Sequence, residues 1–209
     1  MIKEILTTRC VPAAIIDDVE AAVPLAEALL AGGLDVLEVT FRTDAAAECI
    51  RRVAQGCPGM CVGAGTVLTV EEMDQAAAAG SKYVVTPGLG EDVVARAQKL
   101  GVPIIPGVLT PTEITRAWQM GCKILKFFPA GAMGGIATLS ALAGPFAHKG
   151  IKFIPTGGVD AKNAAQFLAL SCVAAVGGSW MVKRELIEAK RWGEITALAR
   201  EAVKVCAVR

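Results

Sequence analysis

Short runs rich in Val, Ile and other strand formers begin at Val11, Val36, Cys61, Tyr83, Pro103, Ile124, Lys152 and Val173, so a new one starts every 20 to 28 residues. Alanine-rich amphipathic runs fill the gaps, among them VEAAVPLAEALLAGG, TDAAAECIRRVAQG and VEEMDQAAAAG. Several of these end in glycine, the residue that most readily takes the left-handed turn closing a helix. Strand and helix alternating at this spacing make a βα repeat, whose consecutive strands run parallel. Eight such units in 209 residues predict an α/β fold, a single (β/α)8 TIM barrel forming one domain over residues 1–209. An open doubly wound sheet ordinarily uses fewer strands and a glycine-rich dinucleotide loop. GAGTV, at 63–67, offers two glycines of that loop but is followed by Leu68 where the third belongs.

Composition narrows the function classes. With 54% hydrophobic and 20% charged residues the chain has ample material for a core. Lys and Arg total 21 against 20 Asp and Glu, and no basic run or aromatic–basic stripe occurs, which argues against nucleic acid as a partner. No apolar stretch reaches the roughly 18 residues of a membrane span. The opening MIKEILTTRC has neither an apolar h-region nor a small-residue cleavage site, so a cytoplasmic location is expected. Seven cysteines at irregular spacing read as reduced, mostly buried thiols rather than a disulfide framework. The single histidine, His148 in FAHKG, reads as a surface residue and gives no basis for His-based metal or triad chemistry.

Side chains alternate across a strand, so parity separates an inward set from a helix-facing set. In VLEVTFR the apolar set Leu37, Val39 and Phe41 faces the helices, leaving Val36, Glu38, Thr40 and Arg42 inside. In ILKFFP, Leu125 and Phe127 face the helices, and Ile124, Lys126 and Phe128 point inward. Two strands thus deliver opposite charges, Glu38 and Lys126, to one enclosed space. A buried ion pair is often no more stable than an apolar replacement, so its presence suggests use. Desolvation favours the neutral amine of a lysine, the form that attacks a carbonyl to give an imine. A nearby carboxylate can then move protons. The other lysines sit beside turns, polar neighbours or strand starts, which leaves Lys126 as the nucleophile candidate.

The loops after the last two strands read PTGGVD and GGSWM. In barrel enzymes these loops commonly bind phosphate. Gly157, Gly158, Gly177 and Gly178 let backbone N–H groups converge on oxygens, and Ser179 adds a hydroxyl. Arg42 and Thr66 end the second and third strands on the same rim, where a guanidinium and a hydroxyl suit a carboxylate; a surface ion pair of Arg42 with Asp44 is the alternative. Together these residues imply a small substrate with a carbonyl, a carboxylate at one end and a phosphate at the other.

The segments VLEVTFRT, GAGTVLT, TPGL, PIIPGVLTPTEI, ILKFFPA, FIPTGGV and VGGSWMV resemble, in order, those of the bacterial class I aldolases for 2-keto-3-deoxy-6-phosphogluconate (KDPG) and 4-hydroxy-2-oxoglutarate (KHG). The resemblance runs from about Val11 to Val182. It implies that Lys126 forms a Schiff base, that Glu38 is the general acid/base, and that Arg42 and Thr66 hold the pyruvate carboxylate. It further implies that Gly157, Gly158, Gly178 and Ser179 hold phosphate and that Thr156 contacts the sugar-acid hydroxyls; the apolar wall around Lys126 is read from the residues themselves as Phe127 and Phe128. The family is a TIM barrel, usually a homotrimer, with no metal or organic cofactor; its partners are a phosphorylated 2-keto acid and pyruvate. Thr156 favours the phosphogluconate branch over the phosphogalactonate one. Gly131 and Gly90, at mouth loops, depart from the common family pattern. Two other classes stay open on the residues alone: a phosphosugar isomerase or epimerase, and a non-catalytic phosphometabolite-binding protein in which Glu38 and Lys126 are structural.

Overall fold

Strands form where the sequence places its Val- and Ile-rich runs. In the computed structural model, which describes residues 3–207, they are β1 (Cys10–Ala14), β2 (Val36–Thr40), β3 (Cys61–Gly65), β4 (Val84–Val85) and β5 (Ile104–Ile105). The second half of the chain adds β6 (Gly107–Val108), β7 (Ile124–Phe127), β8 (Lys152–Pro155) and β9 (Val176–Gly178). The helices are α1 (Lys3–Thr8), α2 (Ala22–Ala31), α3 (Ala46–Gly56), α4 (Val70–Ala78) and α5 (Glu91–Leu100). They continue with α6 (Pro111–Gln119), α7 (Gly135–Ala143), α8 (Ala164–Leu168), α9 (Arg184–Glu188) and α10 (Trp192–Cys206).

All strand pairs are parallel. Six strands make a curled sheet in the order β5-β4-β3-β2-β1-β9, and three more pair as β6-β7-β8. Isolated parallel bridges join Phe153 to Val173 and Thr156 to Gly177, which brings the end of the three-stranded sheet to β9. The PIIPGV run, expected as one strand, is two: β5 pairs with β4, and β6 pairs with β7. Pro106 stands between them and has no N–H to give a ladder, while its carbonyl accepts from Lys126 N at 2.9 Å.

The parity of the strands decides what lies on each face. Leu37, Val39, Leu125 and Phe127 belong to the large core between sheet and helices. Val11, Val36, Cys61, Tyr83, Val85, Ile105 and Ile154 form a second cluster on the concave side. Ile5 joins it from α1, a helix with no counterpart in the sequence expectation, and caps the interior at the N-terminal end of the strands.

Helix ends follow local chemistry. Thr110 caps α6 by accepting from Glu113 N at 3.3 Å, Glu113 reaches back to Thr110 N at 2.8 Å, and Pro111 opens the helix. At the other end of α5, Gly101 takes the left-handed conformation, with φ of 70°. No described helix is long and apolar enough to cross a membrane.

Candidate active site

Above the apolar interior cluster the concave face turns polar. Lys126 from β7 and Glu38 from β2 are 5% and 3% exposed, with Lys126 Nζ 3.9 Å from Glu38 Oε1. That separation is an ion pair but too long for a hydrogen bond, and Glu38 Oε1 has no hydrogen-bond partner within the protein. Burial pushes the Glu38 carboxyl above the usual range, and the positive charges of Lys126 and Arg42 only partly offset this. The Phe128 ring lies below the ammonium, its centroid 5.0 Å from Nζ. The arrangement is a primary amine and a carboxylate with raised proton affinity, side by side in a low-dielectric setting.

This pair forms the floor of a cavity of about 620 Å³ at the C-terminal ends of the strands. Arg42 and Thr66 line it from the ends of β2 and β3, and Phe128 and Thr156 from the ends of β7 and β8. Among the described residues Arg42 forms no ion pair with Asp44, so the surface alternative is not realised. Thr66 has φ of 57°, the left-handed region that a β-branched residue enters only at a cost of about 1–3 kcal/mol. Such strain concentrates at functional sites, and no sequence signal announced it.

Gly157, Gly158, Gly178 and Ser179 line the cavity from the ends of β8 and β9. Gly157 and Gly158 have φ of 86° and 79°, a consecutive pair that side chains would strain. Their loop is pinned to the one after β7, since Ala130 N donates to Thr156 O and Gly131 N to Gly157 O, each at 2.8 Å. The ten residues given catalytic or substrate-binding roles by the resemblance and by parity border one space, whereas Gly177 does not.

Thr40, placed inside by strand parity, lines the cavity, and its hydroxyl donates to Ala14 O at 3.0 Å. Other neighbours were not foreseen. Trp180 and Lys183 line it beyond Ser179, and the indole occupies the space where a side chain on Gly178 would project. An aromatic and a cation directly after a glycine loop were the available signal. Gly177, expected with the anion loop, packs on Thr156 instead, where a Cβ would overlap the threonine hydroxyl. Gly131 packs on Gly158, and Gly90 caps α5; neither lines the cavity. Among the described residues no three His, Cys, Asp or Glu side chains are grouped to hold a metal ion.

Comparison with known proteins places this geometry. The family model described as KDPG and KHG aldolase matches residues 1–198. The 2-dehydro-3-deoxy-phosphogluconate aldolase of Treponema pallidum is 47% identical over 96% of this chain and 94% of its own. The KHG/KDPG aldolase of Escherichia coli is 44% identical over 97% and 94%. A solved KDPG aldolase from Legionella pneumophila, holding pyruvate captured at low pH as a covalent carbinolamine intermediate, superposes with a TM-score of 0.91 at 39% identity, over 97% of this chain and 98% of that one. A whole-chain match of model, sequence and backbone on a site of this composition leaves one assignment: the chain belongs to the KDPG and KHG aldolase family.

Proposed function

We propose that the protein is a class I aldolase that reversibly cleaves 2-dehydro-3-deoxy-6-phosphogluconate to pyruvate and D-glyceraldehyde 3-phosphate. We infer 4-hydroxy-2-oxoglutarate, which gives pyruvate and glyoxylate, as a second substrate. The observation that carries this reading is the enclosed pair of Lys126 and Glu38, 3.9 Å apart at the base of the cavity. A purely structural pair has no need of an opening above it.

In the proposed mechanism Glu38, whose affinity for a proton burial raises, accepts one from Lys126. The amine adds to the C2 carbonyl; Glu38 then returns its proton to the departing hydroxyl, so the carbinolamine loses water and leaves a protonated imine beside an ionised Glu38. Glu38, through a water, takes the C4 hydroxyl proton; the C3–C4 bond breaks, its electron pair moves into the imine, and the aldehyde departs. Glu38 then protonates C3 of the enamine, and water releases pyruvate from Lys126. Arg42 and Thr66 hold the carboxylate, and Phe128 supplies an apolar wall. Thr156 contacts the substrate hydroxyls, while Gly157, Gly158, Gly178 and Ser179 take the phosphate. These steps balance with side chains and water, so we assign no cofactor.

We read the two parallel sheets as one closed (β/α)8 barrel and a single domain over the described residues. Support comes from counting β5 and β6 as one strand broken at Pro106, and from the bridges that bring β8 to β9. A homotrimer rests on the family resemblance, and light scattering tests it. Seven cysteines without a disulfide suit a reducing compartment such as the cytoplasm.

The deciding experiment treats the protein with pyruvate and borohydride. Reduction of the imine leaves a permanent adduct on the Lys126 peptide, and Lys126→Arg abolishes both adduct and cleavage. An unmodified Lys126 rules the mechanism out.

A further inference from the structure

The proposed mechanism leaves polar atoms unused beneath the reacting pair. Tyr83 is wholly buried, and its hydroxyl, like Glu38 Oε1, has no hydrogen-bond partner within the protein. Two glycines of β3 fix how these groups sit. A Cβ on Gly63 would stand 2.6 Å from Tyr83 Cδ1, and one on Gly65 would stand 2.6 Å from the carboxyl carbon of Glu38. Gly63 and Gly65 are successive positions on one face of the strand, so the phenol lies one layer below the carboxylate.

Tyr83, Glu38, Lys126 and Thr156 also line an internal cavity of about 10 Å³ whose other walls include Val85, Ile105 and Ile154. That is close to the least room one water needs, and a buried water needs two to four polar partners. Among the residues lining this space, these four bring the polar side chains, and two of them have oxygens with no other protein partner.

We propose that Tyr83 is a positioning residue: its hydroxyl donates to a single internal water that donates in turn to Glu38 Oε1, holding the carboxylate from below. The inference rests on the aldolase reading and deepens it, because it gives Glu38 a second fixed partner besides Lys126. The charged groups facing Glu38 are Lys126 from β7 and Arg42 from the end of β2, and both favour its ionised form. Burial opposes them. Burial also drives the Tyr83 phenol well above its ordinary value, so it stays a donor, and Cys61 beneath it is pushed up to about 11 and stays neutral. A hydrogen bond to the ionised carboxylate acts in the same direction as the two cations.

Tyr83→Phe keeps the ring and removes the donor. As Glu38 must be ionised to act as a base, the acid limb of the kcat/KM profile for the phosphorylated substrate moves to higher pH. The expected shift is about half a unit, a threefold change in proton affinity, with KM and the rates above the limb unchanged. A high-resolution crystal structure of the unsubstituted protein shows a water within hydrogen-bond reach of both oxygens. Superimposable profiles, a uniform loss at every pH, or a crystal structure without that water overturns the inference. Pyruvate and borohydride run alongside keep the two ideas apart. An adduct on Lys126 with unmoved profiles removes the role of Tyr83 alone, whereas an unlabelled Lys126 in the unsubstituted protein removes the aldolase reading and this inference with it.

Discussion

Gly177 lies flat against Thr156: the two pair as a parallel bridge between the ends of β8 and β9, and a methyl on Gly177 would stand 3.2 Å from Thr156 Cγ2 and overlap its hydroxyl. Gly177→Ala therefore displaces a residue assigned to the substrate hydroxyls without touching Lys126. Pyruvate has no such hydroxyls, so borohydride trapping persists. Cleavage of the phosphorylated sugar acid loses about tenfold in kcat/KM, the equivalent of one misplaced hydrogen bond. Equal loss in both assays would mean that the alanine disturbs the whole floor.

Ser179 lines the cavity just beyond β9, beside Gly178. Ser179→Asp sets a carboxylate where the phosphate is assigned, and like charges in contact cost several kcal/mol. The kcat/KM for the phosphorylated substrate falls about 100-fold or more, while that for 4-hydroxy-2-oxoglutarate, which carries no phosphate, changes little. Parallel assays on the two compounds check this, and a matched loss would remove the phosphate from this wall.

The capping box of α6 carries a pH-dependent share of stability. Partial burial alone pushes the Glu113 carboxyl up, but hydrogen bonds from Leu109 N, Thr110 N and the Thr110 hydroxyl together bring it below its ordinary 4.5. A lowered folded value means stabilisation that is present above the unfolded value and lost as pH falls through the folded one. Glu113→Gln should cost roughly 0.5–1.5 kcal/mol at neutral pH, with the difference shrinking below pH of about 4. Thermal melts of both proteins across that range test the sign.

Cysteine chemistry separates surface from core. Of the seven free cysteines only Cys172 is not buried, and burial pushes Cys49 and Cys61 up to about 11. Burial raises the Cys172 thiol too, and the Cys10 hydrogen bond lowers that of Cys206, so access decides: iodoacetamide at neutral pH modifies Cys172 first and the buried thiols, Cys206 included, only after denaturation. Peptide mapping of the native protein reads this directly; earlier labelling of Cys61 would contradict the packing of the interior cluster.

Periodicity made most of the site legible. Glu38 and Lys126 could be placed on the concave side because their strand neighbours Leu37, Val39, Leu125 and Phe127 are apolar at every second position, and burial of one face forces that register. The glycine loops were readable because few side chains tolerate the backbone at Gly157 and Gly158. Other features depend on contacts far apart in sequence. The left-handed Thr66 sits in a segment that reads as plain strand. Tyr83 looks like any apolar residue at a strand start until Gly63 is found to leave room for its ring beneath Glu38. Likewise α1 has too few residues for periodicity to distinguish it from a loop, and it is held by Ile5 in the interior.

Ile5 is buried in the apolar layer beneath the reacting pair, while the cavity above it lies at the C-terminal ends of the strands. In a reaction of the proposed kind the aldehyde half, with its phosphate at the rim, must depart before pyruvate is freed from Lys126. In the condensing direction pyruvate must enter first. The imine bond to Lys126 imposes that order, since pyruvate stays covalently held until hydrolysis, and the apolar layer at Ile5 beneath it leaves the mouth as the way out for both products; product-inhibition patterns with pyruvate as the last product released test this.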